Sequence, residues 1–201
     1  MQDSWYGAAD VAYIRQTFVT LETAADRGGL TRQQAVGAVA LGYLPKPSYR
    51  VAGEDWVPND YLALWRAADE QGERIGGLFR ERLAAAHQSA YGRPMPAAEG
   101  ERAWRDYLSG DYGVCLWVVS PESIVRKGWL IEHIQHEVRT RWAGPVPQRA
   151  EAQERSEVLA ALVRELDALE RPFAAGDRLR FGGPSSRDIH VTGVRALLNL
   201  A

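Results

Sequence analysis

The protein has 201 residues, of which 46% are hydrophobic, so it can bury one substantial core or two small ones. No run of about 18 apolar residues is present, which excludes a membrane-spanning helix, and the N-terminus lacks the basic start and apolar core of a signal peptide. The net charge of −2 disfavours a nucleic-acid-binding protein. The single cysteine excludes an internal disulfide, so we expect a cytoplasmic protein.

The first third of the chain predicts four helices and a small β-hairpin. The first three helices are expected to begin at Asp10, Thr20 and Thr31, the strands to cover 49–51 and 56–57, and the fourth helix to follow a cap at 58–60. Gly28-Gly29 allows the left-handed turn between the second and third helices. Pro45 and Pro47 favour an extended chain leading into the hairpin. The third helix is expected to bury Ala35, Val36 and Val39 and to expose Arg32, Gln33, Gln34 and Ala38.

This segment, about residues 18–68, resembles the winged helix of MerR regulators and excisionases, in which a helix-turn-helix is followed by a β-wing and a further helix. The resemblance implies DNA-binding side chains, namely Arg32, Gln33 and Gln34 for the major groove and Lys46 and Arg50 for phosphates. Two features depart from it. Residues 1–66 hold six basic and seven acidic residues, and no heptad pattern follows for the dimerisation coiled coil of MerR proteins.

The remainder of the chain is predicted to be helical. The helices are expected at 73–91, 97–109, 120–142, 151–170 and 186–200, with a loop at 176–188. Periodicity leaves both a strand and a helix open for 114–119. The run from Gly92 to Pro96 is typical of a linker. We therefore predict a mainly α protein, with a winged-helix-like subdomain at 1–92 and an α-helical subdomain at 97–201 packed on it.

Three stretches resemble short sequence segments of an uncharacterised bacterial family that matches nearly the full length of the chain. They are YLPKPSY at 43–49, LSGDYGVCL at 108–116 and RFGGPSSRD at 180–188. The resemblance implies a single evolutionary unit and no particular activity. Arginine outnumbers lysine by 22 to 2, which is typical of a GC-rich bacterial genome.

The loop at 178–188 is the first candidate site. Gly182 and Gly183 free its backbone just before a helix, whose unpaired N–H groups attract anions. The side chains that could bind a carboxylate or phosphate there are Arg178, Arg180, Arg187, Ser185 and Ser186. The alternative is an ordinary helix start, with arginines that pair with Asp177 and Asp188.

Lys127 is the second candidate, because it falls on the same side of its helix as Ile131, Ile134 and Val138 and should face the core. A desolvated lysine has a depressed pKa and can act as a base or as an imine-forming nucleophile. The alternative is a side chain that extends to water near the helix start.

The opposite side of the same helix carries Val125, Trp129, Glu132, His136 and Arg139, spaced alternately four and three apart. These side chains could line a polar ligand pocket, with Glu132 and His136 as catalytic groups and Trp129 and Arg139 as binding groups. A solvated helix face is the alternative. His133 and His136 also invite a metal interpretation, but their spacing fits no known ligand motif, so we predict no metal and no cofactor.

Three functions are compatible with these sequence features. The preferred hypothesis is a protein that binds or transforms an anionic or aromatic metabolite. No catalytic set identifies a reaction, so enzymatic activity is left open, as is the oligomeric state. The alternative is a winged-helix transcriptional regulator, which the charge count disfavours. The third is an interaction module that docks a protein partner through its wing and tryptophans.

Overall fold

A computed structural model describes residues 5–143 and 149–198. Its helices are α1 (Ala8–Thr17), α2 (Leu21–Arg27), α3 (Arg32–Ala40), α4 (Ala63–Ala67), α5 (Gly72–Tyr91), α6 (Ala97–Leu108), α7 (Asp111–Cys115), α8 (Pro121–Ala143), α9 (Arg149–Leu169), α10 (Ala175–Arg180) and α11 (Val194–Leu198). Its strands are β1 (Val19–Thr20), β2 (Tyr49–Val51) and β3 (Glu54–Val57). The predicted fold class, mainly α with a small β element, is confirmed.

The three strands form one antiparallel sheet in the order β1-β3-β2. Val19 pairs with Val57 and Tyr49 pairs with Trp56, so β3 lies between the other two strands. Strand β1 is too short to leave a sequence pattern, and it was not predicted. It follows α1 directly and carries the chain into α2, so the N-terminal segment runs helix, strand, helix, helix, strand, strand.

Helices α2 and α3 begin where their caps predict. The Thr20 hydroxyl accepts a hydrogen bond from the Thr23 backbone N–H, and the Thr31 hydroxyl accepts one from that of Gln34. The expected faces of α3 are partly wrong, since Ala38 is 6% exposed and Val36 is 44% exposed. Ala35 and Ala38 lie three residues apart on one face, and both pack with Ala24 and Ala25 of α2, where small side chains let the two helices approach closely.

Helix α8 organises the rest of the molecule, because it packs against α5 on one side and α9 on the other. Ile124 and Val125 join a core with Phe79 and Leu83 of α5. Leu130 and Ile134 join a separate core with α9 and the last helical turns. The first of these cores holds residues from both sides of the 92–97 linker, and the predicted division into two subdomains stays a prediction.

Several predicted boundaries needed correction. The ambiguous stretch 114–119 completes α7 at Cys115 and then becomes extended, with Leu116 bridging to Glu170. Part of the predicted loop at 176–188 is helix α10, because Asp177 accepts a hydrogen bond from the Ala174 backbone N–H and so caps it. The last predicted helix is a π-helical turn at 188–193 followed by α11. The predicted helix stop at Gly144-Pro145 lies outside the described residues.

Arg171 ties the N-terminal segment to the helical remainder. Its side chain is almost fully buried and donates hydrogen bonds to the backbone carbonyls of Leu116 at 2.7 Å, Trp117 at 3.1 Å and Thr17 at 3.2 Å. The guanidinium also lies over the Phe18 and Trp117 rings. Burial lowers the pKa of Arg171 from its ordinary value. One side chain therefore holds the end of α1, the chain after α7 and the end of α9 together.

Two hydrogen bonds to backbone carbonyls form a second contact between the N-terminal segment and the helical remainder. The Lys46 N–H donates to the Leu108 carbonyl at 2.9 Å, and the Ser48 hydroxyl donates to the Gly110 carbonyl at 3.1 Å. A Cβ atom on Gly113 would lie 2.1 Å from the Ser48 hydroxyl oxygen, so no larger residue fits there without a shift. None of the helices in the described parts of the chain combines the length and apolar character needed to cross a bilayer.

Replacing Arg171 should test this role. Arg171→Gln leaves buried carbonyls without a donor and should lower the free energy of unfolding by at least about 3 kcal/mol, measured by urea denaturation. Arg164→Gln, at an exposed position of α9, is the matched control and should change it by less than about 0.5 kcal/mol. Equal effects of the two substitutions would contradict the assignment.

Candidate ligand cavity at Lys127

Lys127 projects from α8 towards the end of α9. Ser120 positions the start of α8, where its hydroxyl accepts a hydrogen bond from the Ser123 backbone N–H. The ammonium nitrogen of Lys127 lies 2.8 Å from Oε1 of Glu170, and the two side chains are 13% and 0% exposed. The Ser186 hydroxyl donates to the same carboxylate oxygen at 2.5 Å. Oε2 of Glu170 is buried and has no partner among the described residues.

The charge state of Lys127 differs from the sequence-based expectation. Burial favours a lower pKa, but the interactions with Cys115 and Glu170 outweigh it and raise the pKa of Lys127. This direction does not support the depressed pKa expected for a base or an imine-forming lysine, and the pairing with Glu170 favours an ammonium ion. Burial also raises the pKa of the Cys115 thiol, although Lys127 opposes this, so the thiol stays protonated at neutral pH.

An open cavity of about 350 Å³ lies beside this ion pair, and we call it the Lys127 cavity. Lys127 and Cys115 form part of its wall. Three aromatic side chains line it, Tyr112, Phe173 and Phe181. Its remaining lining residues are Asp106, Asp111, Pro184, Ser185 and Ser186. The structure thus brings together Lys127 and the serines of the 178–188 loop, which the sequence offered as separate candidates. Its volume is within the range of small-molecule pockets.

The three arginines of that loop are all engaged within the protein. Arg178 pairs with Asp188, with Nε at 2.9 Å. Arg180 donates to Asp111 at 2.7 Å and to the Ser48 carbonyl, and Arg187 pairs with Asp167. Ser185 is also occupied, because its N–H and hydroxyl both bond to Asp188. The alternative interpretation, in which the arginines pair with Asp177 and Asp188, therefore describes Arg178 and Asp188 correctly. Asp177 instead accepts hydrogen bonds from Tyr6 and Tyr49.

The glycines of the loop have different conformations. Gly182 has a φ of +74°, which a residue with a side chain rarely adopts, and it makes the turn that follows α10. Gly183 does not have a positive φ, and its N–H donates to the Arg178 carbonyl at 2.9 Å. That N–H is therefore already bonded within the turn.

The residues proposed as catalytic line three different cavities. Lys127 lines the one described above, Glu132 lines a cavity of about 210 Å³ between α5, α6 and α8, and His136 lines one of about 420 Å³ between α8 and α9. Glu132 and His136 share a face, but each turn advances about 5.4 Å along the axis, so they reach different neighbours. The structure does not bring these three side chains together.

The other residues of that face have structural contacts or lie in water. Trp129 stacks on His133 with ring centroids 3.6 Å apart and lies under the Arg126 guanidinium. Val125 is buried in the core and Arg139 is exposed. His133 lies 2.8 Å from the Trp129 carbonyl, which holds the ring. Within 5–143 and 149–198, no group of three or more His, Cys, Asp and Glu residues is placed to hold a metal ion.

Sequence reasoning missed Glu170, the central residue of the site. A signal for it exists, because residue 170 continues the apolar stripe of α9 through Leu159, Val163 and Leu166 at spacings of four, three and four. A carboxylate at such a position indicates a buried charge in need of a partner. The aromatic residues Tyr112, Phe173 and Phe181 carry no comparable signal, since only the folded chain brings them together.

The chain belongs to a family of unknown function (DUF6058), whose profile matches residues 77–199. That range contains every residue that lines the Lys127 cavity. The match agrees with an uncharacterised family, and the expected match over nearly the full length, including the stretch at 43–49, stays a prediction. No curated protein and no solved structure shows significant similarity to the chain.

The buried ion pair should dominate the stability of this site. Lys127→Met leaves Glu170 buried without its counter-charge and should lower the free energy of unfolding by about 3–5 kcal/mol. Adding Glu170→Gln to that variant removes the unpaired charge and should recover part of the loss, as measured by urea denaturation.

The neighbouring pair of Arg126 and Glu165 is a matched control, since it also joins α8 to α9 but is 40% and 47% exposed. Arg126→Met should cost less than about 1 kcal/mol. Purely additive effects of Lys127→Met and Glu170→Gln, or a similar cost for Arg126→Met, would argue against a buried charge pair.

Proposed function

We propose that the protein binds a small, neutral aromatic metabolite in the Lys127 cavity. The observation that carries this proposal is that two residues of the cavity wall, Lys127 from α8 and Ser186 from the loop after α10, converge on the buried carboxylate of Glu170, beside three aromatic rings. A cytoplasmic location and a bacterial source, expected from the sequence, belong to the same proposal.

The aromatic rings favour a flat apolar ligand. Phe181 is 46% exposed although it lines the cavity, and a ligand ring in contact with it would remove that apolar surface from water. Aromatic pairs add about 0.5–1.5 kcal/mol beyond their buried area. Tyr112 and Phe173 are partly buried against the neighbouring core, so two walls are already formed before a ligand enters.

The polar groups favour a neutral ligand over an anion. The arginines that the sequence suggested for an anion are bonded to aspartates, Asp111 among them, and Asp106 adds negative charge to the cavity wall. Lys127 has three N–H donors, one of which donates to Glu170, so a ligand carbonyl or hydroxyl could accept a hydrogen bond from another. Lys127 then serves as a hydrogen-bond donor. Of the two metabolite classes expected from the sequence, the aromatic one fits better.

Ligand binding can be measured by NMR titration with benzamide and acetophenone, which combine a ring with a neutral acceptor. Their binding should perturb Tyr112 and Phe181, and benzoate should bind more weakly because of the negative charge of Asp106. Phe181→Ser should weaken binding by about tenfold, the equivalent of about 1.4 kcal/mol. Leu179→Ser is the matched control, because Leu179 is 68% exposed in α10 and does not line the cavity. Stronger binding of benzoate, or equal effects of the two substitutions, would contradict the proposal.

A second candidate function, DNA binding, is favoured by the topology of the N-terminal segment. The order helix, strand, helix, helix, strand, strand with a β1-β3-β2 sheet supports the resemblance to a winged helix. The five side chains proposed for DNA contacts are all exposed: Arg32, Gln33, Gln34, Lys46 and Arg50. The local charge speaks against it, since phosphate contacts normally supply much of the affinity. We therefore rank it second.

A gel-shift assay with duplexes selected from a randomised pool tests this second function. Sequence-specific binding should weaken steeply between about 50 and 200 mM salt if phosphate contacts contribute. Arg32→Ala should then abolish selectivity, and Arg15→Ala, at an exposed position of α1, should not. Failure to enrich any duplex at low salt would remove DNA binding as a function of this segment.

A further inference from the structure

A separate cavity lies on the other side of α8, between α5 and α6, and we call it the His87 cavity. It measures about 210 Å³, which is small for a ligand pocket, so an occupant would be a small molecule. It shares Asp106 and Tyr112 with the Lys127 cavity and otherwise has its own walls. Binding at the His87 cavity therefore relies on different groups and does not depend on the function proposed for the Lys127 cavity.

Five charged side chains line the His87 cavity, and two of them already contact Tyr91: Glu132 interacts with its hydroxyl, and the Arg93 guanidinium lies 5.9 Å from its ring centroid. The five are Arg93, Glu99, Arg102, Asp106 and Glu132. Among the residues that the structure describes, none of them forms an ion pair, although both signs line one small cavity. Arg80 and Arg82, on the same helix as His87, are each bonded to a carboxylate through two nitrogens. The fold therefore pairs charges near this cavity but not those of its wall.

His87 supplies an unpartnered polar atom at the same cavity. The residue is 4% exposed, and its Nδ1 lies 3.0 Å from the Arg93 carbonyl oxygen. A carbonyl only accepts hydrogen bonds, so Nδ1 carries a proton, and Nε2 is the acceptor in the tautomer that this contact selects. Nε2 has no hydrogen-bond partner in the described parts of the chain. The Tyr91 ring stacks on the imidazole at 4.4 Å and fixes its plane.

Negative charge predominates on one side of the cavity. Burial, together with Glu132 and Glu99, raises the pKa of Tyr91 to about 12 against the opposing effect of Arg93. The remaining wall is apolar, with Leu83, Ile124 and Val125 buried at its base. The cavity thus offers acceptors, cations and an apolar surface within one small volume.

We propose that the His87 cavity binds a small zwitterion, an α-amino acid with an apolar side chain. The ligand ammonium group is held by Glu132 and Nε2 of His87, and its carboxylate by Arg93 and Arg102. The apolar side chain lies against Leu83, Ile124 and Val125. A ligand with both charges satisfies groups of both signs, which a simple amine or a simple carboxylate would leave half unpaired.

The chemistry of the ligand is tested by calorimetric titration with L-leucine and with its two halves, 3-methylbutan-1-amine and 4-methylpentanoate. L-leucine should bind, and each half should bind at least about tenfold more weakly because it lacks one charge. Binding of either half as tight as that of L-leucine would overturn the proposal. So would the absence of binding by both L-leucine and L-methionine at about 10 mM.

The site is tested with Glu132→Gln and Arg102→Gln, which replace exposed groups and should not disturb the fold. Each should raise the Kd for L-leucine at least about tenfold. The controls Glu81→Gln and Arg105→Gln change exposed residues of α5 and α6 that do not line the cavity, and should leave the Kd unchanged. Phe181→Ser should also leave it unchanged, because Phe181 lines only the Lys127 cavity. Unchanged binding in the first two variants would overturn the assignment.

Discussion

Two adjacent buried charges, Glu170 and Arg171, hold the parts of this protein together. The carboxylate accepts from Lys127 and Ser186, and the guanidinium donates to carbonyls on either side of it. Burying a charge is costly unless it is paired or well hydrogen-bonded, so both side chains must meet their partners for the fold to form. Because the two residues are consecutive, the same turn of chain at the end of α9 fixes the wall of the Lys127 cavity and the end of α1.

This constraint explains why Lys127 is suited to binding. Its charge is balanced by Glu170 and its position is held by α8 and α9, so little conformational entropy remains to be lost when a ligand arrives. The aromatic rings around it come from α7, from the segment after α9 and from the end of α10. A ligand in this cavity would contact three elements that the Glu170–Arg171 turn already holds in place.

Local sequence patterns predicted local structure well, but they did not predict contacts between residues that are distant in sequence. Thr20 and Thr31 revealed helix starts because a cap acts within three residues. Lys127 was correctly placed towards the core by helical spacing, but its raised pKa depends on Cys115 and Glu170, which are distant in sequence. The residues that line each cavity are likewise distant from one another in sequence. The exposure of Val36 was missed because its helix is short and packs through alanines, whose small size weakens the apolar pattern.

The hydrogen bond from the Ser48 hydroxyl to the Gly110 carbonyl, just before α7, bears on how the protein can be divided. A fragment that ended at the linker near residue 92 would lose the carbonyl that Ser48 bonds and the guanidinium that covers Phe18. The Ser48 hydroxyl would then lack its partner and the Phe18 ring would face water. Tyr49 would also lose its hydrogen bond to Asp177. The N-terminal segment is therefore completed by side chains from the far end of the chain, and the smallest unit that satisfies its buried groups is nearly the whole polypeptide.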